Sequence, residues 1–149
     1  MPTSVATTPA AWRNQFAQPT TELLLQEIEP ERLALFTLAR DALLALDKCD
    51  ETLAWHGIPW RWSLAYTIAN TTRAYLVPNP EAPSIAMPIR AAEIDAINLR
   101  SLSRPVREGV VNAAYVAGVL WAEWELSAAT QVNDLLSFQK KLLGLSVKG

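Results

Sequence analysis

The chain has 149 residues, of which half are hydrophobic and 19% are charged, and this composition is typical of one globular domain with its own core. Its formal net charge of −2 argues against general nucleic-acid binding, because such proteins need a basic surface to displace phosphate counterions. No apolar run approaches the roughly 20 residues that a membrane-spanning helix requires. We therefore expect neither a nucleic-acid partner nor a membrane partner.

The cysteine and histidine counts limit the chemistry of the chain. Cys49 is the single cysteine, and secreted chains of this size more often carry several, so we expect an intracellular, cytoplasmic protein. His56 is the single histidine, and without a cysteine pair a zinc site of the usual nitrogen and sulfur type is not expected. The five glycines form no phosphate-binding loop. We expect no metal and no cofactor.

The first part of the chain carries helix signals. Residues 1–11 lack periodicity and are predicted to be a flexible leader before a single domain over residues 12–149. Thr20 or Thr21 can cap a short helix over residues 21–28. A proline in the first turn then opens a longer helix, predicted over residues 30–47, where apolar residues recur at helical spacing.

The pattern then changes from a helical period to a strand period. From Trp60 every second residue is apolar or aromatic, which predicts a strand with one face in the core. The residues predicted to share that face are Trp60, Trp62, Leu64, Tyr66 and Ile68. Asn70 predicts a hairpin turn, after which residues 73–77 form the return strand.

Prolines divide the middle of the chain. The segment 78–83 contains three of them and is predicted to be a loop. Residues 84–89 alternate again and predict a third strand, with Pro88 at an edge or at the strand end because proline cannot donate to a ladder. Residues 91–99 predict a short helix, and a longer helix follows with Ser103 as its cap.

The last third of the chain allows two interpretations. Gly118 can end the preceding helix in the left-handed conformation, and residues 119–126 alternate like a fourth strand. The alternative is one continuous helix from residue 105 to residue 126, since alanine, leucine and glutamate favour helices. Thr130 then begins a terminal helix that ends before Gly144. This order predicts an α+β fold, with a small antiparallel sheet of about four strands and flanking N-terminal, middle and C-terminal helices.

Three segments of the chain are similar to a known family. They read WRWSLAY, RAYLVPNPEAPSIAMPI and LWAEWELSAATQVNDLLSFQKKLL. They resemble the small bacterial family catalogued as domain of unknown function 3788. The matching features here are Trp62-Ser63-Leu64, Tyr75 to Pro78, Ile85 to Ile89, Trp121 to Leu126, Asp134 and Lys140-Lys141. The first hairpin departs from the family pattern, because TIANTT stands where a basic run is expected. The resemblance implies this fold and a cytoplasmic setting, and it implies no reaction.

The segment 53–66 holds three tryptophans and the only histidine. One interpretation is that Trp60, Trp62 and Tyr66 are core residues that pack against the second helix, because each aromatic ring buries a large area. The other is that they form the wall of a ligand pocket, on which a flat ligand stacks. Both interpretations stay open at the level of the sequence.

We expect the protein to be a non-enzymatic ligand-binding or protein-interaction module that uses the aromatic and charged side of its sheet. The candidate ligand-binding residues are Trp60, Arg61, Trp62, Tyr75, Trp121 and Glu123. The expected partners are a small-molecule ligand and a second copy of the chain, held through an edge strand or the terminal helix.

The alternative is a small enzyme with its site around His56, Arg61, Glu123 and Glu125. It requires these four side chains to converge in one concavity. Arg61 and Arg73 are expected to face the two glutamates across the sheet as cross-strand ion pairs. The simpler interpretation of alternating acids on a strand is that they mark the solvated face of the sheet.

Overall fold

A computed structural model describes residues 11–148 of the chain, and their side chains as far as residue 144. Within this range the helices are α1 (Thr21–Glu27), α2 (Pro30–Leu44), α3 (Ala91–Asp95), α4 (Arg104–Val111) and α5 (Ala129–Lys148). The strands are β1 (Cys49–Trp55), β2 (Trp62–Ile68), β3 (Thr71–Val77), β4 (Ser84–Arg90), β5 (Ala114–Val116) and β6 (Val119–Glu125). Of the predicted leader, only Ala11 belongs to the described residues, and it begins a 3-10 turn.

The strands form one antiparallel sheet in the order β1-β2-β3-β4-β6-β5. The predicted α+β class with an antiparallel sheet is confirmed, but the prediction of about four strands is wrong because the sheet has six. The two missed strands are the two edges of the sheet. The sequence of β1 does not alternate between polar and apolar residues, because the polar Glu51 occupies an inward position. The three residues of β5 lie in an alanine- and valine-rich stretch, where no alternation is visible. Both are held by pairing with a neighbour, which no single segment can show.

The inward Glu51 is held by an ion pair and a hydrogen bond. Arg40 of α2 donates to both of its carboxylate oxygens at 2.8 and 2.9 Å, and the Tyr66 hydroxyl of β2 donates at 2.6 Å. Burial raises the pKa of Glu51, but the hydrogen bonds from Arg40 and Tyr66 and the guanidinium charge outweigh it, so the pKa is lowered overall. Burial, together with the hydrogen bond to Glu51, raises the pKa of the Tyr66 hydroxyl. These contacts fasten the edge strand β1 to α2 and β2.

Two hairpins close on two-residue turns with positive φ angles. Ala69 and Asn70 have φ angles of 52° and 64°, so the turn predicted at Asn70 is confirmed as type I′. Ala117 and Gly118 have φ angles of 52° and 80° and connect β5 to β6 in the same way. Gly118 therefore adopts the left-handed conformation as expected, but in a hairpin and not at the end of a helix. The helix that it was predicted to end stops at Val111 instead.

The strand prediction for residues 119–126 is confirmed, and the rival continuous helix is wrong. Ala122, Trp124 and Leu126 are buried, and Glu123 and Glu125 between them are exposed. Other boundaries shift by a few residues. α2 ends at Leu44 and not at residue 47, and α5 continues through Gly144 to Lys148.

The main core lies on one face of the sheet, under α2, α4 and α5. Its fully buried members include Phe36 and Leu43 from α2, Leu135 and Phe138 from α5, and Tyr66 from β2. A second, smaller cluster consists of Trp12, Leu24, Trp62 and Val77. It covers one corner of the sheet with the segment that precedes α2.

The opposite face of the sheet is open in its middle. We call it the open face, and it carries Tyr75, Ser84, Ala86, Trp121 and Glu123. The register supports this assignment, since Tyr75 lies opposite Ala86 and Ala86 lies opposite Glu123 on the next strand. Tyr75 and Trp121 are half-buried and Glu123 is exposed. The open face is thus accessible at Tyr75, Trp121 and Glu123, while Ser84 and Ala86 are buried beneath it.

Candidate functional site

The open face carries a cluster of rings that touch one another. The Trp60 ring lies 4.9 Å from the Tyr75 ring and 6.0 Å from the Trp121 ring, and Tyr75 and Trp121 are 6.0 Å apart. His56 adds an imidazole 5.4 Å from the Tyr75 ring. We call His56, Trp60, Tyr75 and Trp121 the aromatic cluster. Its spacing is that of rings packed edge to face or tilted, which forms a continuous apolar surface.

Three separate segments bring these rings together. Tyr75 comes from β3 and Trp121 from β6, and β4 lies between them with Ala86 exposed by only 1% beneath the rings. The small side chain of Ala86 lets the larger rings on either side meet above it. His56 and Trp60 come from the loop before β2, which is closed by the His56 N–H donating to the Arg61 carbonyl at 2.8 Å.

Hydrogen bonds hold both the backbone and the side chain of Trp60. The Trp12 indole donates to the Trp60 carbonyl at 2.9 Å, and the Trp60 indole donates to Glu123 at 3.3 Å. The second carboxylate oxygen of Glu123 accepts from the Ser84 hydroxyl at 3.3 Å. Glu123 is therefore oriented by neutral donors at the border of the aromatic cluster.

The carboxylate of Glu123 forms no ion pair with the described residues. Among the described residues the ion pairs involve other acids, and Glu125, on the same face of β6, pairs with Arg32 at 3.1 Å. Glu108 of α4 likewise pairs with Arg104 at 2.9 Å. Glu123 thus differs from its acidic neighbours in having no cation as its partner in this part of the chain.

Two open grooves flank Glu123. One has a volume of about 250 Å³ and lies on the Trp60 side, with Trp12, Pro59 and Asn79 in its wall. The other has a volume of about 490 Å³, lies on the Trp121 side between β6 and α4, and includes Glu108 and Asn112. The larger groove has the size of a small-molecule site. Glu123 and Glu125 belong to both grooves, so a ligand in either one meets these carboxylates.

The structure separates Trp60 from Trp62, although the sequence predicted one shared face. β2 begins at Trp62, and Arg61 before it has a φ angle of 58°, which interrupts the extended backbone. Trp62 is 7% exposed and donates to the Asn14 carbonyl at 2.8 Å, so it is a core residue. Trp60 is half-buried in the aromatic cluster. The core interpretation is thus correct for Trp62, whereas Trp60 stays partly accessible at the open face.

The predicted arginine–glutamate pairs are not formed. The Arg61 guanidinium lies 5.3 Å from the centre of the Trp12 ring, where a cation is attracted to the π face. Arg73 pairs with Glu93 of α3 at 3.2 Å. Neither arginine faces Glu123 or Glu125, because Arg61 precedes the strand and Arg73 lies where the β2–β3 register is irregular.

Of the six candidate ligand-binding residues, Trp60, Tyr75, Trp121 and Glu123 come together, and Arg61 and Trp62 lie elsewhere. His56 joins the cluster as a ring and was considered only for catalysis. The neighbouring rings partly desolvate the His56 imidazole, and this burial lowers its pKa. A hydrogen bond with the Ser63 backbone raises the pKa by less, so the net shift is downward. No sequence pattern identified the contributions of Trp12 and Ser84, which depend on the fold alone.

Within residues 11–148 there is no group of three histidine, cysteine, aspartate or glutamate side chains that could hold a metal ion. The same part of the chain has no helix that is both long and apolar enough to cross a membrane. No family model, no curated protein and no solved structure matches the chain. The resemblance to domain of unknown function 3788 therefore stays a prediction that depends on the quoted segments.

Proposed function

We propose that this protein is a non-enzymatic binding module whose open face binds a small organic cation with a flat apolar body. The apolar body lies against the Trp60 and Trp121 rings, and the cationic group meets the carboxylate of Glu123. The observation that carries the proposal is that a carboxylate without an ion-pair partner among the described residues borders a continuous aromatic surface. Aromatic faces attract cations through their quadrupole, so both parts of the site favour the same kind of ligand.

The charges around the grooves support this choice of ligand. Glu123 and Glu125 line both grooves, and the arginines nearby are bound to Glu125 and Glu108. An anionic ligand would meet Glu123, near which the described residues supply no free cation, and that repulsion costs affinity. A nucleotide or another phosphate compound is therefore disfavoured by the same geometry that favours an amine.

The rival enzyme requires His56, Arg61, Glu123 and Glu125 to act together. Arg61 lies on the Trp12 ring and Glu125 pairs with Arg32, so two of the four have other partners. His56 has rings as its side-chain neighbours, whereas a catalytic histidine needs a nucleophile or an orienting carboxylate within hydrogen-bond reach. We therefore propose binding and not catalysis for this face.

A cytoplasmic setting is part of the proposal. Cys49 is half-buried at the start of β1, and burial raises the pKa of its thiol, which keeps it protonated and unreactive. A single packing cysteine of this kind suits a reducing compartment.

The test is isothermal titration calorimetry with phenethylamine, and with hydrocinnamate as the matched anion of the same ring and similar length. The cation should bind and the anion should not. A charge-assisted contact is worth about 1.5–3 kcal/mol, so Glu123→Gln should weaken phenethylamine roughly tenfold or more. Asp50→Asn is the control, because Asp50 is an exposed strand carboxylate whose loss changes the net charge equally. Equal weakening by both variants, or tighter binding of hydrocinnamate, would contradict the proposal.

A further inference from the structure

The β5 edge of the sheet combines an unpaired backbone with exposed apolar side chains. β5 is the last strand in the sheet order, and all three of its residues are exposed. Tyr115 and Val116 are 61% and 57% exposed, and Val111 at the end of α4 is 64% exposed. These are three of the most exposed large apolar side chains among the described residues, and they lie within six positions of one another.

The hairpin determines which backbone groups of β5 are free. Val116 and Val119 flank a two-residue turn, and residues in that position exchange backbone hydrogen bonds. Bonded and non-bonded pairs alternate along an antiparallel ladder, so Tyr115 opposite Leu120 forms a non-bonded pair. The N–H and C=O of Tyr115 therefore point away from β6, toward the open side of the edge.

The two edges of this sheet differ in their protection. Natural sheets block an exposed edge with charges, prolines or bulges, because a free edge pairs readily with another strand. β1 at the opposite edge carries Asp50 and Glu51. Residues 109–122, which contain β5 and its turn, hold no charged residue and no proline. Apart from its short length of three residues, the β5 edge thus lacks the features that prevent pairing.

The geometry points to the β5 edge as a self-association surface, on which β5 of a second copy pairs antiparallel about a two-fold axis near Tyr115. A two-fold axis brings each residue of this strand close to the same strand of the other copy, so a charge here would be repelled by its own copy. The uncharged stretch over residues 109–122 meets that condition. Tyr115 lies beside the axis and loses exposed area in the pair.

The pairing has two consequences. A three-residue strand offers few hydrogen bonds and a small buried area, so the dimer is weak and depends on concentration. A two-fold axis perpendicular to the sheet also keeps both open faces on one side, so the two aromatic clusters lie on one continuous surface. No member of the aromatic cluster belongs to β5, so the inference does not depend on the proposed ligand.

Sedimentation equilibrium tests the pairing, with the wild type measured up to about 1 mM, the weak end of specific association. The apparent mass should rise with concentration from 16.4 kDa toward twice that value. Tyr115→Lys places a charge at the axis and should stay monomeric. Thr52→Lys is the control, because Thr52 is an exposed position on the other edge strand, and it should behave as the wild type. Circular dichroism checks that both variants fold. If the Tyr115→Lys variant does not fold, the Val116→Lys variant is measured in its place.

Amide hydrogen exchange on the unmodified chain gives a second readout. Exchange at the Tyr115 amide should slow severalfold as the protein concentration rises, while exchange at exposed amides of β1 should not. A wild type that stays at 16.4 kDa at the highest concentration would overturn the inference. So would a dimer that survives Tyr115→Lys, or one that Thr52→Lys disrupts to the same extent.

Discussion

Gly109→Ala should destabilise the protein, although alanine is the better helix former. Gly109 lies inside α4, and a β-carbon built there would overlap the indole of Trp124 on β6. The change should gain about 1 kcal/mol of helix propensity. Against that gain, overpacking costs about 1–3 kcal/mol.

A further loss comes from the hydrogen bonds of the displaced ring. The Trp124 indole donates to the Pro105 carbonyl at 3.1 Å and to the Val106 carbonyl at 3.3 Å. Leaving a buried donor unpaired costs about 1–3 kcal/mol. With the propensity gain subtracted, we expect a net destabilisation of roughly 1–5 kcal/mol.

Gly144→Ala provides the matched control. Gly144 lies inside α5, and a β-carbon there would meet nothing within 4 Å, so only the propensity gain of about 0.5–1 kcal/mol applies. Urea unfolding followed by circular dichroism measures both variants against the wild type. A Gly109→Ala variant that is as stable as the wild type, or more stable, would refute the close packing of α4 on β6.

Two further predictions concern the core and the aromatic cluster. Because the pKa of Glu51 is lowered from its ordinary value of 4.5, its contribution to stability is present above that value and is lost as the pH falls through the folded-state pKa. Glu51→Gln should therefore flatten the acid limb of a stability–pH curve, and an unchanged limb would contradict the ion pair with Arg40. In acrylamide quenching, Trp60→Phe should reduce the accessible tryptophan fluorescence with little loss of stability. Trp62→Phe should leave the accessible tryptophan fluorescence unchanged and lower stability by about 1–2 kcal/mol. The reverse result for the two variants would contradict a buried Trp62 and an accessible Trp60.

The parts of the fold that local patterns predict are those with local causes. The turn at Asn70 follows from backbone preferences at two adjacent residues, and the strand at residues 119–126 follows from alternation along one segment. The two edge strands have no such local cause. β1 contains an inward Glu51 that is tolerated only because Arg40 and Tyr66 bind it from other elements. A sequence pattern that counts only apolar residues does not recognise such a position.

The sequence predicted only the part of the candidate site that lies on regular strands. Tyr75, Trp121 and Glu123 lie on regular strands, so alternation indicates the faces that they occupy. Trp60 reaches these residues from a loop, after a backbone reversal at Arg61 with a φ angle of 58°. Arginine seldom adopts that conformation, so its residue type gives no warning of the reversal. The separation of Trp60 from Trp62 therefore required the folded chain.

Nuclear magnetic resonance of the tryptophan indole N–H groups tests most directly whether the open face binds an organic cation. The chain has six tryptophans, so each indole gives its own signal. In a titration with phenethylamine, we expect saturable shifts for Trp60 and Trp121, and little change for Trp62 and Trp124, which are buried. The absence of saturable shifts, or equal shifts for all four indoles, would contradict binding at this face.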